Sequence, residues 1–136
     1  MSVIQSDCKH PERCVIGHPF NPPHMIPLVE VVGGKKTSPD AIKQAMAFYA
    51  SIGKKPIHLL KELPGHAANR IQAALYKEVV YLIEQGMLSV EDADAAVSWG
   101  PGLRWELWAQ VCCGILVVVK EEFTISWNSS WTQWLP

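Results

Sequence analysis

Apolar positions along this chain change period twice. Cys14 to Gly17 form a short apolar run that stops at His18-Pro19-Phe20-Asn21-Pro22-Pro23. This pattern predicts a buried strand over 14–17 followed by a rigid loop, because proline fixes φ and offers no N–H to a helix or inner strand. Leu28-Val29-Glu30-Val31-Val32 predicts a second strand over 28–32, closed by Gly33-Gly34, with one charge inside an apolar run. Ser38-Pro39-Asp40 reads as a helix start with Ser38 as N-cap, Pro39 at the first position and Asp40 in the first turn. Ile42, Ala45, Met46, Tyr49 and Ile52 then recur at helical spacing up to Gly53. Residues 56–60 predict a third strand.

The alternation then gives way to helical periodicity. From Pro64 to Glu84 only Gly65 interrupts, and Ile71, Leu75, Val79 and Leu82 mark one face of a long helix ending at Gly86. Ser89 and Asp92 form a capping box for a further helix that ends at Gly100-Pro101-Gly102. The change from sheet to helices falls near Lys61, and no internal repeat is present.

Composition narrows the class. The chain has 136 residues, 49% apolar and 18% charged, with a net charge of −1. It is globular in composition, and no basic face points to nucleic acid or an anionic membrane. Cys8, Cys14, Cys112 and Cys113 suggest no disulfide framework, so a reducing, cytoplasmic setting is expected. The start of the chain carries no apolar signal core. The apolar run 111–119 reaches about half the length of a membrane span.

Four polar residues stand out. His18 sits at the end of a predicted strand, the edge where ligands bind in α/β folds, and a histidine there can accept a proton. It can equally be a loop histidine at a strand end. Glu30 needs a partner if buried, and a histidine is the natural one; an edge-strand glutamate facing water is the other reading. Asn69 can donate to a substrate oxygen or bond to its own backbone. Asn21 lies in the proline loop. Cys8, His10, Cys14 and His18 fit no standard zinc spacing, so no metal is expected.

The two blocks His18-Pro19-Phe20-Asn21-Pro22-Pro23 and Ile26-Pro27-Leu28-Val29-Glu30-Val31-Val32 resemble the 3-hydroxyacyl-CoA dehydrogenases. Lys61-Glu62-Leu63-Pro64-Gly65 with Ala68-Asn69-Arg70, and Gly86 through Gly100-Pro101-Gly102-Leu103-Arg104-Trp105, extend the resemblance. That family includes relatives acting on carnitine and on gulonate. The resemblance implies an α/β fold: residues 1–61 as the end of a Rossmann-type NAD-binding domain, and 62–105 as the first helices of an all-α C-terminal domain. It implies NAD as cofactor, an acyl-CoA or other 3-hydroxy acid as substrate, and a homodimer for full-length members. It also implies His18 as the base that takes the hydroxyl proton, Glu30 as its carboxylate partner, Asn69 as the orienter of the substrate oxygen, and Asn21 as a cofactor contact. His66 stands where the family usually has Phe.

Two departures matter. The family's G-x-G-x-x-G pyrophosphate loop does not occur in these 136 residues, and its catalytic serine is expected just before Met1. An inactive fragment, or a stub that pairs with a full-length subunit, is therefore the rival reading. Residues 106–136 carry most of the six tryptophans and leave the pattern. With suitable codons, Trp108 re-reads in another frame as Met-Gly-Pro and 116–119 as Leu-Gly-Gly-Gly, which resembles the family's continuation. The tail is thus expected to be frameshifted near Glu106, with a divergent tail as the alternative.

Overall fold

The computed structural model describes residues 1–107. Its elements run β1 (Val15–Pro19), β2 (Leu28–Gly33), α1 (Pro39–Ser51), β3 (Lys55–Leu59), α2 (Ala68–Glu84), α3 (Val90–Val97) and α4 (Leu103–Leu107), with short 3-10 turns before β1. This is the mixed α/β architecture expected, a small sheet followed by helices. The expectation for the tail falls, from residue 108 on, outside the described residues. Among the described residues no helix is long and apolar enough to cross a membrane.

The chain divides into two compact units, Met1–Glu78 and Val79 onward. In the first, the three strands lie in the order β1-β2-β3, with β1 antiparallel and β2 parallel to β3. β2 is the central strand, and Val29, Glu30, Val31 and Val32 are all buried. β1 and β3 take its edges and α1 packs against it, and a strand buried at its faces carries a near-continuous apolar run. Gly17 in β1 gives room to α1: a Cβ there would overlap the Tyr49 ring.

β1 is longer than its apolar run suggests. It continues through His18 and Pro19, which pair with Glu30 and Val29. Correcting the expected loop position, His18 is therefore a strand residue. Pro19 is tolerated because the ladder continues past it: the Phe20 N–H donates to the Leu28 carbonyl at 3.1 Å.

α1 starts as its sequence indicates. The Ser38 hydroxyl accepts from the Ala41 N–H at 3.2 Å, and Pro39 occupies the first turn. Its end is closed by Gly53 at φ +78°, with the Lys54 N–H reaching the Tyr49 carbonyl at 3.0 Å. α2 closes in the same manner. Gly86 is at φ +67°, and the Met87 N–H donates to the Leu82 carbonyl at 3.1 Å. In both, the left-handed residue lets the chain turn back onto otherwise unpaired carbonyls.

In the second unit, Ser89 caps α3 by accepting from the Asp92 N–H at 3.0 Å, and its hydroxyl donates to the Asp92 carboxylate at 2.8 Å. α3 ends at Val97, earlier than the Gly-Pro-Gly stop expected. A wider turn over Ser98–Gly102 follows, in which Gly100 leaves helical geometry, and α4 then resumes. Pro101 has no N–H to give the preceding turn, which breaks regular winding there.

Candidate active site

The geometry of the sheet brings His18 and Glu30 together. They are directly opposed in the antiparallel β1–β2 register, and opposed residues project from the same face. His18 Nδ1 lies 3.0 Å from Glu30 Oε2. Glu30 is fully buried, whereas the His18 side chain keeps 32% of its surface exposed. With Nδ1 engaged, the ring's Nε2 has no hydrogen-bond partner among the described residues.

The second carboxylate oxygen is held by backbone. Glu30 Oε1 accepts from the N–H of Ala67 at 2.8 Å and of Ala68 at 2.9 Å. These are amides at the start of α2, where N–H groups lack helical partners and the helix dipole favours negative charge. Glu30 thus caps α2 from another element. This explains why a charge can sit in the middle of β2: both of its oxygens are satisfied.

The protonation of Glu30 follows from those contacts. Burial pushes its carboxyl up, but the Ala68 amide, the His18 ring, the Ala67 amide and the nearby His66 outweigh it. The net result is a carboxyl held below its ordinary value. An anionic Glu30 fixes the tautomer of His18 and favours the imidazolium formed when Nε2 accepts a proton.

A third ring completes the cluster. His66 stacks on His18, with ring centroids 4.4 Å apart and planes within 14°. The turn that delivers it is left-handed at two successive residues, Gly65 at φ +80° and His66 at φ +51°. The same turn aims the Ala67 and Ala68 amides at Glu30. Ligand-type atoms of His18, Glu30 and His66 lie within 4.8 Å of one another. However, imidazole lone pairs lie in the ring plane. Two nearly parallel rings cannot both direct theirs at one ion about 2.0–2.1 Å away.

Of the other residues singled out from the sequence, Asn69 is the second residue of α2 and is exposed. Asn21 is exposed in the loop after β1, at a cis Asn21–Pro22 bond. Among the described residues, no hydrogen bond joins either to the His18–Glu30 pair. Sequence reasoning missed the Ala67 and Ala68 amides, because a backbone donor has no residue-type signature. The available signal was Glu30 itself, whose burial demands more donors than one imidazole supplies. It also missed the stack of His66 on His18, although His66 was visible as a departure.

A half-exposed histidine held by a buried carboxylate is an arrangement suited to proton transfer in an α/β fold, and comparison with known proteins places the chain in a family. Residues 1–63 match the model of the 3-hydroxyacyl-CoA dehydrogenase NAD-binding domain, and residues 65–110 match that of the 3-hydroxyacyl-CoA dehydrogenase C-terminal domain. The chain belongs to the 3-hydroxyacyl-CoA dehydrogenase family, whose cofactor is NAD. It is 49% identical over 106 residues to an L-carnitine dehydrogenase of Bacillus cereus, covering 78% of this chain and 32% of that protein. It is 52% identical over 116 residues to a 3-hydroxyacyl-CoA dehydrogenase of Gibberella moniliformis, covering 85% of this chain and 36% of that one. Among solved structures, 5-formyl-3-hydroxy-2-methylpyridine 4-carboxylic acid 5-dehydrogenase, an NAD+-dependent dismutase, superposes with a TM-score of 0.81 at 35% identity. That match covers 88% of this chain and 38% of that one. The chain spans about a third of the length of the curated relatives it matches.

Proposed function

We propose that this chain supplies the proton-accepting half of an NAD-dependent oxidation of a secondary 3-hydroxyl group. The observation that carries this reading is the 3.0 Å contact between His18 Nδ1 and buried, doubly amide-bound Glu30. It leaves Nε2 to take the hydroxyl proton, while Glu30 stabilises the resulting imidazolium. NAD, when bound, accepts the hydride from the carbinol carbon. The donor set fits the alcohol side of that chemistry. It does not supply the glycine-rich loop that grips the pyrophosphate, which is absent from the 136 residues. Asn21 is the residue this chain would contribute to the cofactor, and Asn69 would steady the substrate oxygen from the start of α2.

The substrate we propose is a 3-hydroxyacyl-CoA. A second reading, a free 3-hydroxy acid of the carnitine type, is favoured by the similarity to the Bacillus cereus relative. On either reading the domain division is that of residues 1–61 and 62–105, with the tail after Trp105 out of frame. The chain alone is expected to be inactive, because general-base help worth about 10²–10⁴-fold acts only when alcohol and cofactor are held together.

The test is a hybrid in which the part of this chain aligned over 106 residues with the Bacillus cereus protein replaces its counterpart there. NADH formation is then followed with 3-hydroxybutyryl-CoA and with L-carnitine. The hybrid should form NADH with one of them, and His18→Gln should lower kcat by about 10²-fold or more with little change in KM. An unimpaired His18→Gln hybrid would show that the proton goes elsewhere. Robust NADH formation by the 136-residue chain alone would overturn the account of the missing cofactor grip.

A further inference from the structure

His66 is unusual in three independent respects. It is a non-glycine residue in left-handed backbone, at φ +51°. Such residues are uncommon and strained, and surrounding structure must hold them in place. Its ring lies flat on that of His18, 4.4 Å away at 14°. It is itself ionisable, where an aromatic hydrocarbon ring would stack as well without titrating.

We propose that His66 is a positioning residue for His18, holding the His18 imidazole flat against its own ring and opposing the arrival of a second positive charge there. This inference rests on the proposed role of His18 as base. Direct proton passage between the rings is excluded by their geometry: imidazole N–H bonds lie in the ring plane, and stacked rings point theirs side by side. What remains is packing and charge. The packing limits rotation of His18 about its χ angles, leaving the Glu30 hydrogen bond and the free Nε2 in one orientation. The charge acts because a protonated His66 would sit against the ring that must itself become positive during turnover.

Every charged group that faces His66 bears on this. His18 comes from β1 and Glu30 from β2. Lys61 and Glu62, from the segment after β3, line with His66 a cavity of about 260 Å³, as does Met1, whose amino group pairs with Glu62 at 2.6 Å. Glu30 is the one carboxylate in hydrogen-bond contact with His18 among the described residues, so the two rings share its influence unequally. Glu30 is held below its usual value in part by the His66 charge, which agrees with an electrostatic link across the cluster.

The test uses the full 136-residue chain and histidine ring NMR, which needs no turnover. Two variants separate packing from charge. His66→Asn removes the ring but tolerates left-handed backbone, so the turn survives. His66→Phe keeps a stacking ring and removes the charge. In the wild-type chain the His18 ring should show the Nδ1–H tautomer and a single ring orientation. His66→Phe should keep both. His66→Asn should keep the tautomer and free the ring orientation, seen as averaged His18 side-chain couplings.

In the hybrid enzyme, His66→Asn should lower kcat about tenfold with KM within about twofold, and His66→Phe should keep the wild-type kcat at alkaline pH and exceed it at acid pH. A His18 ring orientation unchanged by His66→Asn would overturn the proposal. The two hypotheses fail separately. An active His18→Gln hybrid removes the base itself. An inactive His18→Gln hybrid, together with wild-type His18 signals that His66→Asn leaves unchanged, removes only the role of His66.

Discussion

The sheet and the helices that follow it treat their apolar side chains differently. In β2, Val29, Val31 and Val32 are each at most 3% exposed. Along α2, α3 and the turn after it, Ile71, Tyr76, Val90 and Trp99 are each more than 60% exposed. Both regions carry clear periodic patterns, but the strand's is fully buried, whereas on the α2 stripe Leu75, Val79 and Leu82 are half-buried and Ile71 is exposed. An inner strand finds its partners in the two strands beside it, all within residues 15–59. A helix needs a surface to lie on, and periodicity shows the apolar stripe without showing that surface. Stability in the first unit therefore rests on burial and on one charge, and in the helices it rests more on their ends.

Glu30 offers the sharpest way to break this contrast. Glu30→Ala removes the acceptor for two amides and for His18, and should cost about 3–5 kcal/mol by urea unfolding, as for a broken buried pair. The loss should be cooperative between the sheet and the start of α2. The pH dependence carries the same signature. Glu30 has a lowered folded-state value, against an ordinary value of 4.5. Its contribution is thus complete above about pH 4.5 and disappears as pH falls through the depressed folded value. Unfolding measured from pH 7 downward should show this decline in the wild type and lose that component in Glu30→Gln.

A matched pair of truncations sharpens the comparison further. Val31→Ala removes buried methyl groups and should cost about 2 kcal/mol, the transfer term plus a small cavity. Ile71→Ala removes more atoms from an exposed position and should change stability by no more than about 0.5 kcal/mol. A larger effect at Ile71 would show that the exposed stripe of α2 is covered in solution. The caps fall between these two: Ser38→Ala and Ser89→Ala should each cost about 1 kcal/mol. Far-ultraviolet circular dichroism should show the larger helical loss for Ser89, because α3 is the shorter helix.

Much of this architecture could be read from residue types. Ser38 and Ser89 announce helix starts, Gly53 and Gly86 announce ends, and each carries its signal in its own side chain or lack of one. The anomaly at Glu30 was also visible, since a charge in a run of valines asks for a partner. What stayed hidden depended on other elements or on backbone. β1 runs on through His18 because β2 lies beside it, which the proline-rich sequence does not reveal. Ala67 and Ala68 act through amides that any residue but proline possesses. The stack of His66 on His18 needs two left-handed residues in succession, and only the first of them is a glycine. Asn69 and Asn21 were legible as polar residues within the matching motifs, but their exposed positions come from the turn before α2 and from the loop after β1.

The two oxygens of Glu30 divide their allegiance: one steers an imidazole, and the other anchors a helix. Mutational change at this position is consequently pleiotropic. A variant that alters the electrostatics around the histidine through residue 30 also loosens the joint between strand and helix. His66 touches the same imidazole without holding α2 by its side chain. It is the evolvable knob of the cluster, a place where lineages can exchange a titratable ring for an inert one while the scaffold beneath stays the same.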